Sequence, residues 1–301
     1  MKLDNWESSK DLNGIYADIR RLGLEQCVAE HDAFGFTVVP PENLAPPETN
    51  RRLLDAILRV HKERTGHTLT PADLANGSLE GDRPMAIHLA LLGEDRIFEE
   101  VLMNPVVYAL ARYFCGKSVL LSDTVALIKR RDETPTHRLH IDQSNTPPPL
   151  PVYPQMLNIT WTLTDYTLES GPLAVVPGSH RYGRPPMLHE ENFLREDAPI
   201  KPAPVLCPAG SLVAFGGTTW HAAYPRTAPG LRVTFVMTFC RAYMKPMRDF
   251  RTGMSKEILA RNPPEFADLI GMDALFPMDP RKEASPDTFE KHRAAGRNMW
   301  G

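Results

Sequence analysis

The chain has 301 residues, 42% hydrophobic and 24% charged, which is ordinary globular composition with length enough for one sizeable core. A formal net charge of −3, with no long basic run or basic–aromatic stripe, argues against nucleic acid or a membrane surface as a partner. The polar start "MKLDNWESSKDLNG", the lack of an 18-residue apolar run and four scattered cysteines (Cys27, Cys115, Cys207, Cys240) without a CxxC pair predict a cytoplasmic protein with free thiols.

Along the chain, residues 1–116 read as mostly helical. "LNGIYADIRRLGLEQCVAEHDAF" has apolar residues at helical spacing, and "GFTVVP" then reads as a strand. "TNRRLLDAILRVHKERTG" puts Leu53, Leu54, Ile57, Leu58 and Val60 on one face and ends at a capping Gly66. "RIFEEVLMNPVVYALARYFCG" is another helical stretch, interrupted by Pro105. After Gly116 the pattern becomes β-branched and short-period: "SVLLSDTVALIKRR", "HRLHIDQS", "QMLNITWTLTD", "LAVVPGSH", "GSLVAFGGTTWHAAY" and "LRVTFVMTFCRAYM", separated by turn residues. Such a run predicts an antiparallel sandwich or barrel over about 117–245, with helices outside it and short helices or loops over 246–301. No linker divides the chain, so 1–301 reads as a single domain.

One stretch carries ligand chemistry. As a strand, "HRLHIDQS" turns His140 and Asp142 to one side and His137 to the other. Pro135 and the β-rich surroundings favour the strand over a helix. By itself a His–x–Asp pair is better explained as a solvated strand with a satisfied histidine. The third member comes from "WHAAYPRTAPGLR". If His221 and Arg232 flank a hairpin, they lie opposite each other on neighbouring strands. A core arginine needs an anionic partner, and a dicarboxylate would supply one through a fork-to-fork pair. Two histidines and a carboxylate leave three positions open on a metal, the facial arrangement of non-haem Fe(II) oxygenases. Zinc competes for such ligands, but a catalytic zinc keeps one open position and gives Arg232 no role.

In order along the chain, "HID" (His140, Asp142), "TDYTLESGPLAVVPGSHRYG" and "WHAAYPRTAPGLR" resemble the motifs of the phytanoyl-CoA dioxygenase family of Fe(II)/2-oxoglutarate-dependent oxygenases. "GFTVVP" and "EFADLIGMDALF" are similar to its N-terminal strand and C-terminal segment. The resemblance implies a mainly β fold, a double-stranded β-helix (jelly roll, cupin-like) with helices packed around it. It implies His140, Asp142 and His221 as ligands of Fe(II), and Arg232 as the grip on the distal carboxylate of 2-oxoglutarate. Thr167 falls where a subset of the family places a threonine helping that carboxylate. His137 falls where some members carry a polar residue near the cosubstrate, which needs a bulge to turn it inward. Ser170 stands where the family often has asparagine, and Gly171 and Pro172 keep the turn. Asn158 and Thr160 share a strand face and are expected to line the site.

The implied reaction consumes O₂ and 2-oxoglutarate, with ascorbate as an in vitro aid, releases succinate and CO₂, and oxidises an unactivated C–H of a small molecule. Hydroxylation in natural-product or lipid-like metabolism is the expectation; desaturation, epoxidation and rearrangement are the related outcomes. A carboxylate at 142 argues against halogenation. A metal-free jelly-roll binding module and a zinc hydrolase on the same scaffold are the competing readings. The remaining histidines read as surface or satisfied core, His180 as a loop holder, Trp220 as packing away from the metal, "KRR" (129–131) as a solvated cluster sooner than an attractor of an acidic substrate, and the prolines at 147–151 as a stiff connector beside the mouth sooner than a substrate lid. Monomer and homodimer are both open.

Overall fold

The computed structural model describes residues 7–77, 79, 85–131 and 138–272. Among them the strands are β1 (Phe36–Val39), β2 (Met85–Leu89), β3 (Leu120–Lys129), β4 (Met156–Thr162), β5 (Leu173–Val175), β6 (Ala203–Pro204), β7 (Leu212–Gly216), β8 (His221–Ala223) and β9 (Arg232–Cys240). The helices are α1 (Glu7–Arg21), α2 (Glu25–Phe34), α3 (Pro47–Thr65), α4 (Pro71–Asn76), α5 (Arg96–Leu102), α6 (Pro105–Cys115), α7 (Leu188–Glu191), α8 (Lys256–Arg261) and α9 (Pro264–Leu269). The strands form an antiparallel six-stranded sheet in the order β1-β7-β4-β9-β3-β2 and a three-stranded sheet in the order β6-β5-β8. This is the expected mainly β architecture, a cupin-like double-stranded β-helix with flanking helices.

Period-two alternation divides the large sheet into two chemistries. On β9, Val233, Phe235, Met237 and Phe239 are fully buried against the helices, while Arg232, Thr234, Val236 and Thr238 face a cavity. On β4, Leu157, Ile159 and Trp161 join the same helical core, and Met156, Asn158 and Thr160 face the cavity. One apolar cluster thus takes in α2, α3, α5, α6, α9 and the outer sheet face. Burying a Phe or Leu there contributes about 1.5–3 kcal/mol relative to exposure. A smaller cluster, with Tyr166, Val175, Val213 and Phe215, closes the gap between the sheets.

Local chemistry sets the helix limits. The first predicted helix is two, α1 and α2, because Gly23 takes φ +67 between them. Pro105 is the first residue of α6, with the Asn104 side chain accepting from Val106 N, so it starts a helix after α5 has ended. Gly66 ends α3 in the left-handed region, as predicted. β2 is an additional strand inside the mostly helical stretch, pairing with β3. In contrast, "HRLHIDQS" is not a strand: among its described residues only His140 is β-bonded, as an isolated bridge to His221. No helix among the described residues is long and apolar enough to cross a membrane.

A histidine pair joins α3 to β2: His61 Nδ1 and His88 Nε2 lie 2.9 Å apart, both rings buried. Burial, reinforced by His61 and Arg64, holds His88 down at about 4, and burial with His67 lowers His61. The folded chain therefore refuses protons that the unfolded chain takes up below about 6.5. Stability should fall as pH drops from about 6.5 to about 4, seen as a falling urea midpoint. In His88→Leu the same fall should be shallower.

Candidate metal and cosubstrate site

His140 and His221 are set opposite each other by two reciprocal backbone hydrogen bonds, each 3.0 Å from nitrogen to oxygen. Two residues on, the amides of Asp142 and Gln143 both donate to Gly217 O at 3.0 Å, turning the Asp142 carboxylate back toward the two rings. Its oxygens lie 3.6 Å from His140 Nε2 and 3.4 Å from His221 Nε2. One ligand atom from each of the three residues falls within 4.8 Å of the others.

The imidazoles are oriented from behind. His140 Nδ1 sits 3.0 Å from Arg138 O, and His221 Nδ1 3.0 Å from Thr219 O. A carbonyl only accepts, so each Nδ1 carries the proton and each Nε2 presents a lone pair toward Asp142. Burial holds the His221 ring below its ordinary range, against the opposing pull of Asp142, which keeps it neutral as a ligand must be. Asp142 Oδ2 accepts from Asn158 Nδ2 at 2.5 Å, and Asn158 Oδ1 accepts from Thr238 Oγ1 at 2.8 Å. Both second partners stand on the inner face of the large sheet, in register as Asn158↔Thr238.

These residues line a cavity of about 430 Å³ that also contains Arg232, Lys129, Thr160 and Tyr166. Arg232 is 4% exposed; it donates Nη1 to Gly171 O and lies over the Tyr166 ring at 5.2 Å, and its Nε has no partner. The Tyr166 hydroxyl is bonded to Thr234 Oγ1 at 3.0 Å. Gly171 is required there: a Cβ would come 2.7 Å from Tyr224 O, and its φ is +71.

The structure corrects several expectations. His221 and Arg232 are not hairpin neighbours. β8 pairs with β5 in the small sheet and β9 with β3 and β4 in the large one, so the 224–231 loop crosses between sheets. The two side chains meet by facing one cavity from opposite walls. Lys129 is not part of a solvated cluster. It is 2% exposed, is the register partner of Arg232, and donates Nζ to Tyr224 O at 2.9 Å. Period two along "SDTVALIK" places it on the cavity face with Val125 and Leu127, a signal the sequence did carry.

Thr167 is exposed and does not line the cavity. Its oxygen accepts from Ser170 N at 3.2 Å, and Ser170 Oγ accepts from Thr167 N at 2.9 Å, so the pair closes the turn before Gly171. His137 lies outside the described residues. Residues 144–154 do not line this cavity either; Val152–Pro154 line another. Asn158 and Thr160 line the site as expected. Trp220 packs away from it, fully buried, with Nε1 on Arg184 O. His180 holds its loop through Asp32 O at 3.1 Å.

Comparison with known proteins agrees in fold and family. The family model for phytanoyl-CoA dioxygenase (PhyH) matches residues 32–234. The chain is 26% identical over 293 residues to the dioxygenase af480 of Aspergillus fumigatus, covering 84% of this chain and 91% of that protein. It is 30% identical over 119 residues to the uncharacterized protein Rv1501 of Mycobacterium tuberculosis, a match that spans only 40% of this chain and 41% of that protein. Among solved structures it superposes on HygX from Streptomyces hygroscopicus, crystallised with nickel and 2-oxoglutarate, with TM-score 0.57 and 14% identity over 77% of this chain and 92% of that one. It also superposes on the epimerase SnoN, in complex with Fe³⁺, α-ketoglutarate and nogalamycin RO, with TM-score 0.55 and 19% identity over 88% of this chain and 96% of that one. At such identities these likenesses speak for the fold.

The contacts behind Asp142 make a graded test. Asp142→Ala or His221→Ala should abolish Co(II) uptake in a titration. Asn158→Ala should weaken it about 10–100-fold, the usual effect of removing a group that orients a ligand. Thr167→Ala should leave it unchanged.

Proposed function

Since this chain belongs to the phytanoyl-CoA dioxygenase family of 2-oxoglutarate-dependent non-haem iron oxygenases, we propose that His140, Asp142 and His221 hold its Fe(II), with Arg232 and Lys129 as the anchor for the cosubstrate. The observation that carries this reading is the aiming of both Nε2 atoms at Asp142, in a cavity whose far end holds two buried cations. Two imidazoles and one carboxylate are the donor set that fits Fe(II) and leaves positions open. Bound iron, with O₂ and 2-oxoglutarate, supplies the oxidising power: the cosubstrate leaves as succinate and CO₂, and the substrate loses a C–H bond.

The rest falls to this chain's own residues. Thr219 O and Arg138 O keep the ring protons on Nδ1, and Asn158 holds the Asp142 carboxylate through one oxygen. Arg232 offers an unpartnered N–H, and Lys129 adds a second positive charge beside it. Removing a buried charge such as that of Arg232 from water costs several kcal/mol, so it calls for an anion, and a carboxylate end of 2-oxoglutarate fits. Gly171 and the turn closed by Thr167 and Ser170 bring the Gly171 carbonyl onto Arg232, fixing the direction of its fork.

The substrate is a small molecule with a hydrocarbon surface toward the metal. On β3 and β9 the positions that are not buried are Val125, Leu127 and Val236, all aliphatic and all facing the cavity. Open aliphatic groups in a concave wall favour an apolar occupant. Hydroxylation is the simplest outcome; desaturation, epoxidation and rearrangement start from the same C–H cleavage. Natural-product or lipid-like metabolism suits an aliphatic wall and a relative named as a dioxygenase. The metal-free binding module is disfavoured by the two Nδ1–carbonyl contacts, which a purely structural histidine pair has no need of.

Purified protein with Fe(II), ascorbate and O₂ should convert 2-oxoglutarate to succinate. Arg232→Ala and Lys129→Met should each weaken 2-oxoglutarate binding about 10–150-fold, the loss of one charge-assisted contact of about 1.5–3 kcal/mol. The reading fails if metal uptake is intact, 2-oxoglutarate binds no more weakly in Arg232→Ala, and no iron-dependent succinate appears.

A further inference from the structure

A second cavity, of about 480 Å³, lies at the end of the large sheet where β4 enters and β9 leaves. It shares no lining residue with the metal cavity. Among the described residues, five buried side-chain nitrogens or oxygens lack a hydrogen-bond partner. One, Arg232 Nε, belongs to the cavity where an anion is expected. Three belong to residues of the second cavity: His31 Nε2, Arg112 Nε and His180 Nδ1. His31 and His180 are only 3% and 6% exposed. Each buried polar group left unmade costs about 1–3 kcal/mol, and three of the five belong to side chains that wall this one hollow.

The charge of that hollow is positive. Burial keeps both imidazoles neutral, with His31 pushed down to about 3, so the charges come from arginines. Arg241 donates to Pro154 O at 2.8 Å and Phe114 O at 3.0 Å and has no carboxylate partner among the described residues. Arg112 meets Asp18 only at 3.6 Å. The one acid on the lining, Asp32, has a side chain 87% exposed and faces Arg181. The walls are aromatic: Tyr16 and Tyr113 meet edge to face at 5.6 Å, Tyr113 and Phe114 at 5.0 Å, and Arg241 lies over the Tyr153 ring at 4.9 Å. Ring-lined walls with Arg241 facing no carboxylate among the described residues and Arg112 only loosely paired with Asp18 match a planar anion: the carboxylate pairs with a guanidinium and the ring stacks on the wall.

We propose that this cavity is a second ligand site, separate from the metal and cosubstrate cavity, for a small carboxylate carried on an aromatic ring. The test is calorimetric titration of the full chain with benzoate, benzyl alcohol and acetate, in wild type, Arg112→Gln and Arg232→Ala. Benzoate should bind once per chain, and the uncharged and ringless probes at least tenfold more weakly. Arg112→Gln should weaken benzoate at least tenfold, and Arg232→Ala should not. Ser118→Phe, which fills the cavity from a half-buried position without altering a charge, should also abolish binding and serves if Arg112→Gln does not fold. The proposal is overturned by the absence of saturable benzoate binding or by equal affinity for acetate or benzyl alcohol. It is also overturned by a loss confined to Arg232→Ala, which would place benzoate in the other cavity. Success or failure of iron-dependent turnover has no bearing on these outcomes.

Discussion

Two backbone hydrogen bonds between His140 and His221 hold the rest of the site in place. They form the only β contact of the 138–146 segment among its described residues, and they fix both histidines at once. The rings come to 4.3 Å between centroids because their Cα atoms are paired across that bridge. Asp142 then has no freedom of its own: its amide and that of Gln143 share the Gly217 carbonyl, and its carboxylate is drawn to Asn158 on the other sheet. The His140–Asp142–His221 trio is thus a joint between the two sheets. The small sheet supplies His221, the bridged segment supplies His140 and Asp142, and the large sheet supplies the orienting Asn158.

The same joint explains the polarity of the cavity. Main-chain groups near His140 and His221 are used in the bridge and in the Nδ1 contacts, which leaves side chains to face the hollow. On the large sheet those side chains follow one row per strand. β9 runs Arg232, Thr234, Val236, Thr238, and β3 runs antiparallel beside it as Lys129, Leu127, Val125. Register therefore sets the cations together at one end and the aliphatic groups together farther along. The Asn158–Thr238 pair, tied to Asp142, closes the other end. On the proposed reading, this one register would also set the direction of the cosubstrate's carboxylate.

Much of this was legible in the sequence, and the failures have physical causes. Period two in "RVTFVMTF" and "QMLNITWT" gave both faces of β9 and β4, because one face meets helices and the other does not. His140, Asp142 and His221 were readable from residue type and the company of Arg232. Strand parity reached the right pairing of His140 with Asp142 for an incomplete reason, since only His140 is β-bonded and Asp142 is placed by Gly217. The hairpin reading of 221–232 failed because pairing between sheets is not encoded locally. Arg226 holds Gly230 O and Ser170 O, so the loop is shaped by partners on both sides of the crossing. Lys129 was misread by its neighbours: "KRR" looks like one solvated run, yet Lys129 is the last residue of β3 and faces inward, while Arg131 lies past the strand's end and is exposed. Thr167 was carried over by position alone, and it stands exposed in the turn with Ser170, off the cavity lining.

Burying Lys129 beside Arg232 is the arrangement hardest to explain as structure alone. Register makes them direct neighbours on β3 and β9, so like charges face each other where direct opposition is unfavourable. Arg232 bonds the Gly171 carbonyl, which carries no net charge to offset it. Compare Glu99, 1% exposed, which meets Arg261 Nε at 2.8 Å and Asn262 Nδ2 at 2.6 Å: there a buried charge is neutralised within the fold. The protein thus builds a closed ion pair where α5 meets α8. At the base of its cavity Arg232 has a carbonyl, an aromatic ring and an unpartnered Nε around it. A fold under selection for stability alone gains by replacing such a pair with aliphatic residues of similar volume. On the proposed reading, Arg232 would grip a carboxylate of the cosubstrate in the same hollow that His140, Asp142 and His221 line.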